Sequence, residues 1–188
     1  MKRLLPLLAI VTLCSAQPAN AAQRWVADPV HSSAQFTATH FGLVRVTGII
    51  PIKEVTIMAD KPELPASVTA VLDATGVDTR EPDRDGDLKS DHFFNVSTYP
   101  TISFTSTSIT STGPKTFDLA GNLTMHGVTK PVVLKATYLG QIVDPRGNVH
   151  YAYEAATTIK RSDFGMTYGP VIVGDTVEIA IDIDARAR

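Results

Sequence analysis

Apolar and polar residues alternate with a period of two through most of the chain. Val177, Ile179, Ile181 and Ile183 are interleaved with Glu178, Ala180, Asp182 and Asp184. Phe117, Leu119, Gly121, Leu123 and Met125 are interleaved with Asp118, Ala120, Asn122 and Thr124. Successive side chains of a strand point to opposite faces, so this period predicts strands with one face buried. Ile102 and Phe104 repeat the pattern, as do Val132, Leu134, Ala136 and Tyr138, and Tyr151, Tyr153, Ala155 and Ile159. Earlier runs cover 31–40, 43–50, 53–58 and 67–73. Short turn signals separate many of them: Phe41 and Gly42, Thr112 to Pro114, His126 and Gly127, and Asp144 to Gly147. Eight or nine sequential strands with short turns predict an antiparallel meander closed into a barrel, with an open sandwich as the alternative.

One stretch breaks the alternation. Residues 81–96 read EPDRDGDLKSDHFFNV, rich in charge and poor in β-branched side chains. A short helix is expected over 83–93, weakened by Gly86, with Leu88, His92 and Phe93 on one face. The sequence shows no internal repeat and no linker, so the strands and this helix form one domain.

The N-terminus has its own pattern. Lys2 and Arg3 precede an apolar run, Leu4 to Leu13, and Ala19-Asn20-Ala21 offers a small-x-small cleavage site. This predicts a secretory signal peptide over 1–21 and a mature domain over 22–188. The run is too short to span a bilayer stably, so no membrane insertion is expected after cleavage. A retained anchor and lipidation at Cys14 are alternatives. Cys14 is the single cysteine of the chain, so cleavage leaves no thiol for disulfides or metal sites.

Composition narrows the function. With 17 Lys+Arg against 19 Asp+Glu, the chain lacks the basic surplus of a nucleic-acid binder. The five histidines, His31, His40, His92, His126 and His150, show no spacing typical of a metal site, and no metal is expected. There is no nucleophile elbow and no phosphate-cradling glycine loop. Asp163, Phe164 and Gly165 spell a kinase tripeptide without the rest of the kinase set, and predict a tight turn with Phe164 pointing inward.

The barrel interior is what remains. An eight-stranded barrel is filled by its own side chains or holds one small ligand. Ten residues of strand span about 33 Å, so the interior is elongated. Phe36, Phe104, Leu123 and Met125 alternate there with Ala34, Ala38, Gly48, Gly121 and Ala136, residues that leave room. A fully packed core would use the same residues.

Four blocks carry a resemblance. The first runs from Trp25 to Asp28 through His31, Ser32, Phe36, His40, Phe41, Gly42 and Gly48. The second holds Asp78, Thr79, Arg84, Asp85, the run LKSDHFF over 88–94, Tyr99 and Pro100. The third is GNLTMHGVTKP over 121–131, and the fourth is Arg161 to Met166 with Gly174 and Asp175. Together they resemble the YceI-like family of polyisoprenoid-binding, lipocalin-like proteins. The resemblance implies an eight-stranded antiparallel barrel with an elongated hydrophobic pocket, a periplasmic location and a carrier role. The cargo would be a long-chain isoprenoid, polyprenyl compound or isoprenoid quinone, bound as ligand, with no cofactor and no catalysis. Pro82 and Gly86 depart from the helix expected at the pocket rim.

On this reading Phe36, Phe41, Phe94, Ile102, Phe104, Leu123, Met125, Phe164 and Met166 line the lipid tail. His40, Arg84 and Arg161 are candidates for its polar head, since guanidinium forks match phosphate oxygens. The alternative for the arginines is an ion pair with Asp85 or Asp163. Two other functions stay open: an enzyme using His40 and a carboxylate as acid and base, and a dry-cored, stress-related barrel that recruits a protein. An exposed strand edge would favour a homodimer.

Overall fold

The computed structural model describes residues 22–187; the expected signal peptide lies outside them. The alternating runs form ten strands: β1 (Gln23–Ala27), β2 (Ser33–His40), β3 (Val44–Ile49), β4 (Ile52–Ala59), β5 (Ser67–Asp73), β6 (Thr101–Ser111), β7 (Thr116–Met125), β8 (Val128–Val143), β9 (Val149–Lys160) and β10 (Val173–Ala187). All pairings are antiparallel, in the order β1-β4-β5-β6-β7-β8-β9-β10, and β1 pairs back onto β10. The sheet is therefore closed, which rules out the open sandwich.

Ten strands make eight staves because two staves are broken. β2 lies along the same edge of β10 as β1: Asp182 faces Ser33, and Ala185 faces Ala27. β3 and β4 form the second broken stave, parted at Ile50 and Pro51. Pro51 has no N–H for the ladder, and its carbonyl accepts instead from Asp73 N at 2.9 Å. The break between β1 and β2 is held by Asp28, whose carboxylate accepts from Val30 N (3.0 Å), His31 Nδ1 (3.1 Å) and Arg186 Nη2 (2.5 Å). The outer edge of β3 carries no further strand and is bridged once, between Ile49 and Asp78.

Two hairpins turn where the turn signals predict, over residues 41–43 between paired His40 and Val44 and over His126 and Gly127 between paired Met125 and Val128. Phe41 and Gly42 have φ of 50° and 69°, and His126 and Gly127 have 51° and 73°. Positive φ at two successive turn residues matches the right-handed twist of the flanking strands.

Between β5 and β6 the chain leaves the wall and covers one end of the barrel. Helix α1 (Pro82–Lys89) forms here despite its proline, because Pro82 occupies the first helical position, where no N–H is needed. Glu81 caps it by accepting from Arg84 N at 2.7 Å. The helix stops four residues before the expected Phe93. Ser90 Oγ folds back onto the Asp87 carbonyl at 2.7 Å, and Phe94 N bonds the Leu88 carbonyl at 3.0 Å. Leu88 and Phe93 still face the interior, while His92 points outward and stacks on Tyr168, with ring centroids 3.8 Å apart. The segment 161–172 completes this lid end. It opens with the turn Arg161–Phe164, followed by Gly165 at φ 79°, and Phe164 is 1% exposed, as the tight-turn reading predicts.

Candidate functional site

Inward residues of eight staves enclose one apolar cavity of about 210 Å³. Its wall takes Ala34, Phe36 and Ala38 from β2, Val68, Ala70 and Leu72 from β5, and Ile102 and Phe104 from β6. β7 adds Phe117, Leu119, Leu123 and Met125, and β10 adds Val173, Val177, Ile179, Ile181 and Ile183. Many of these side chains keep intermediate exposure although they point inward, among them Phe36, Val68, Ala70, Ala155, Ile179 and Ile181. In a packed core such residues would be fully covered. The interior is hollow.

Not every small inward residue leaves room for a guest. A β-carbon on Gly48 would stand 2.5 Å from Phe36 Cζ, and one on Gly121 would collide with the Phe104 ring. These two glycines accommodate the protein's own rings. The open space is lined instead by alanines, Ala34, Ala38, Ala70, Ala136 and Ala155.

The two ends differ. At the end opposite the lid an aromatic layer closes the tube. Trp25 stacks on Tyr151 at 3.7 Å, Tyr138 meets Tyr151 edge-on at 5.9 Å, and Tyr138 lies 5.4 Å from Tyr153. Tyr153 Oη donates to the Pro62 carbonyl at 3.0 Å, which ties the layer to the β4–β5 loop. Burial pushes the Tyr153 hydroxyl well above the usual phenol range. The floor was not singled out in the sequence. Its signal was there, as aromatics at the alternate positions 151 and 153 and at 138, but only strand pairing shows that they share a level with Trp25.

At the lid end Leu88, Phe93, Phe94, Met166 and Arg161 face the cavity. Among the described residues Arg161 is the only charged one on its wall, and it is 5% exposed. Its guanidinium donates Nε to the Gly174 carbonyl (3.1 Å), Nη1 to Met166 (2.7 Å) and Nη2 to Val173 (2.8 Å). Three of its five N–H groups are thus spent on backbone, and no carboxylate pairs with it among the described residues. Burial lowers its pKa, and Asp175 acts in the opposite direction. The Phe93 ring lies 5.8 Å from its guanidinium carbon.

Of the sequence-predicted residues, the structure gathers Phe36, Phe94, Ile102, Phe104, Leu123, Met125, Arg161 and Met166 on one wall. Four fall elsewhere. Phe41 occupies the hairpin turn and projects outward, 58% exposed. His40 is exposed beside it, with ring centroids 4.3 Å apart. Phe164 packs behind the wall, and its carbonyl accepts from His126 Nδ1 at 2.9 Å. Arg84 turns away from the cavity to Thr79, donating Nε to Oγ1 (2.7 Å) and Nη2 to the carbonyl (3.0 Å). Neither arginine forms the expected ion pair. Asp85 instead accepts from Thr79 N and Oγ1, at 2.8 and 2.6 Å, and these bonds lower its pKa.

A polar network lies outside the barrel near the aromatic floor. His150 Nδ1 donates to the Asp184 carboxylate at 2.8 and 3.0 Å, and Nε2 approaches Asp144 at 3.4 Å. Bonding to Asp184, then to Asp144, raises the His150 pKa. Asp28, His31 and Asp184 converge closely enough for a cation. Arg186 and the two histidines already occupy those carboxylates.

A closed antiparallel barrel of eight staves with a hollow apolar interior, floored at one end and lidded at the other, defines a lipocalin-like barrel. A family model described as a YceI-like domain matches residues 25–185, and the chain belongs to that family. It is 35% identical over 189 residues to a UPF0312 protein of Pseudomonas savastanoi pv. phaseolicola, covering 98% of this chain and 97% of the relative. A UPF0312 protein of Pectobacterium atrosepticum is 36% identical over 185 residues, with 97% and 96% covered. Among solved structures, Burkholderia cenocepacia BcnA superposes with a TM-score of 0.71 at 21% identity, covering 84% of this chain and 98% of that one. A polyisoprenoid-binding domain from Saccharophagus degradans, implicated in plant cell wall breakdown, superposes with a TM-score of 0.67 at 17% identity, with 90% and 100% covered.

Proposed function

We propose that the protein is a periplasmic carrier that sheathes the tail of a long-chain isoprenoid or similar amphiphile inside the barrel. The observation that carries this reading is the continuous apolar cavity with Arg161 as its single charged wall residue. The Saccharophagus degradans domain, described as polyisoprenoid-binding, supports the same ligand class. Each methylene moved from water into such a wall contributes about 0.8 kcal/mol, so a dozen contribute about 10 kcal/mol before the tail is ordered. That is enough for retention without any catalytic group. Apolar walls discriminate poorly by one methylene, so the carrier accepts a range of chain lengths. The polar head stays at the lid end, where the two unspent N–H groups of Arg161 are the nearest charged donors on the wall. A polyprenyl phosphate or a quinone carbonyl fits that role.

The test is native mass spectrometry of the protein purified from the compartment to which it is exported, beside an organic extract of the same sample. A stoichiometric isoprenoid or comparable amphiphile is expected, on a polypeptide that begins at Ala22. An empty barrel that also takes up no lipid when soaked would overturn the carrier reading.

A further inference from the structure

Large apolar side chains are exposed at both ends of the barrel, and those at the lid end form a cluster beside residues that line the cavity. Leu43 (85% exposed) and Val44 (62%) form the tip of the β2–β3 hairpin beside Phe41, and Val171 (81%) and Ile172 belong to the loop before β10. The two segments are joined: Phe41 N donates to the Ile172 carbonyl at 2.8 Å.

Two apolar trails run from the interior to this crown. The first descends from Val171 and Ile172 to Val173, which pairs with His40 on the last rung of the ladder and lines the cavity with Val177. The second runs from exposed Tyr168 to Phe93, whose rings meet edge-on at 5.9 Å, and Phe93 lines the cavity. At the opposite end Leu139, Ile142 and Val143 are exposed beyond the aromatic floor, and Leu64 is exposed in the loop that Tyr153 ties to it. Exposed apolar area clustered at the lidded end of an apolar cavity marks a surface that meets an apolar phase.

We infer that the protein docks on a lipid bilayer through this crown and exchanges its cargo there. The inference rests on the lipid reading above and adds the surface and the partner. A bilayer is favoured over a charged partner because the ion pairs that flank the crown are closed within the protein. Arg45 forks onto Glu178 at 3.0 and 2.7 Å, Asp175 accepts from Ser162 N and Oγ, and Asp87 accepts from His92. Docking therefore proceeds by shallow insertion of aliphatic side chains and does not require anionic lipid.

The test uses the exported protein and neutral phosphatidylcholine vesicles in a flotation assay. Leu43→Asp with Val171→Asp places charges on two side chains that touch no core. Ile142→Asp with Val143→Asp is the control at the floored end. The wild type and the floor-end variant are expected to float equally, and the crown variant to partition at least about tenfold less. Equal flotation of the two variants, or a wild type that stays in solution, would overturn the inference. So would a wild-type dimer, seen by sedimentation, that the crown variant breaks while vesicle binding is unchanged. Uptake of cis-parinaric acid delivered from ethanol separates the two claims. If it fails, the cavity reading falls whatever the vesicles show. If it succeeds in the crown variant, lost flotation is a docking defect alone.

Discussion

Phe36 on β2 faces Gly48 on β3 directly across the ladder, and its ring occupies the space where a β-carbon of residue 48 would stand. The third member of the contact is Thr79, whose Cγ2 would lie 2.7 Å from that carbon. Thr79 cannot retreat, because Arg84 and Asp85 hold its hydroxyl at 2.7 and 2.6 Å. The lid segment is thus keyed into the wall through one missing side chain.

Gly48→Ala forces the Phe36 ring toward the cavity and should cost about 1–3 kcal/mol in urea unfolding. Adding Phe36→Leu, which shortens the intruding group, should recover part of that loss. If Gly48→Ala is neutral, the ring is free to swing away and the key is not rigid.

A hollow interior and a packed one respond oppositely to added volume. Ala155 faces the open space, paired with Ala136 on one side and Ile181 on the other. Ala155→Phe should leave the melting temperature within a few degrees of wild type and abolish parinaric acid uptake. In a packed core the same substitution would cost about 1–3 kcal/mol.

Arg161 both borders the cavity and fastens its own turn to Met166 and to the start of β10. Arg161→Met removes the donors for three carbonyls at once. At about 1 kcal/mol for each lost bond, unfolding should be easier by roughly 3 kcal/mol. Arg161→Lys should recover only part of this, since a single ammonium cannot span the three directions. Full recovery by lysine would show that charge matters here and the fork does not.

His150 predicts a pH dependence. Its folded-state pKa lies above the usual imidazole value because Asp184, then Asp144, hold the charged form. A raised pKa means that the stabilisation is fully present below about pH 6.5 and is lost as pH rises through the folded value. His150→Ala should therefore lower the melting temperature more at about pH 5.5 than at about pH 9. A deficit that is constant or grows with pH would contradict the ion pairs.

Alternation alone made the staves legible, since Phe117 to Met125 and Val177 to Ile183 could bury their apolar sets in one way only. The glycine turns at 42 and 127 were legible for the same local reason. The rest depended on what meets what. Phe36 and Phe41 are the same residue type five positions apart, yet a positive φ at Phe41 puts one outside and the other on the wall. Gly48 and Ala38 both looked like vacant space, and only the partner strand shows that a ring fills the first. Arg161 read as an anion binder or an ion-pair partner, because its three partners are backbone carbonyls, which leave no mark in a sequence. The floor needed four aromatics from β1, β8 and β9 to meet across the tube.

That floor gives the barrel a direction. A cylinder open at both ends could pass a chain through, but one stopped by Trp25 and its tyrosines behaves as a scabbard. On the proposed carrier function, a chain would go in tail first and withdraw by the way it came, its head the last part to be sheathed and the first to be presented. Its orientation when collected would then be its orientation when handed on, with no need to turn it over in water.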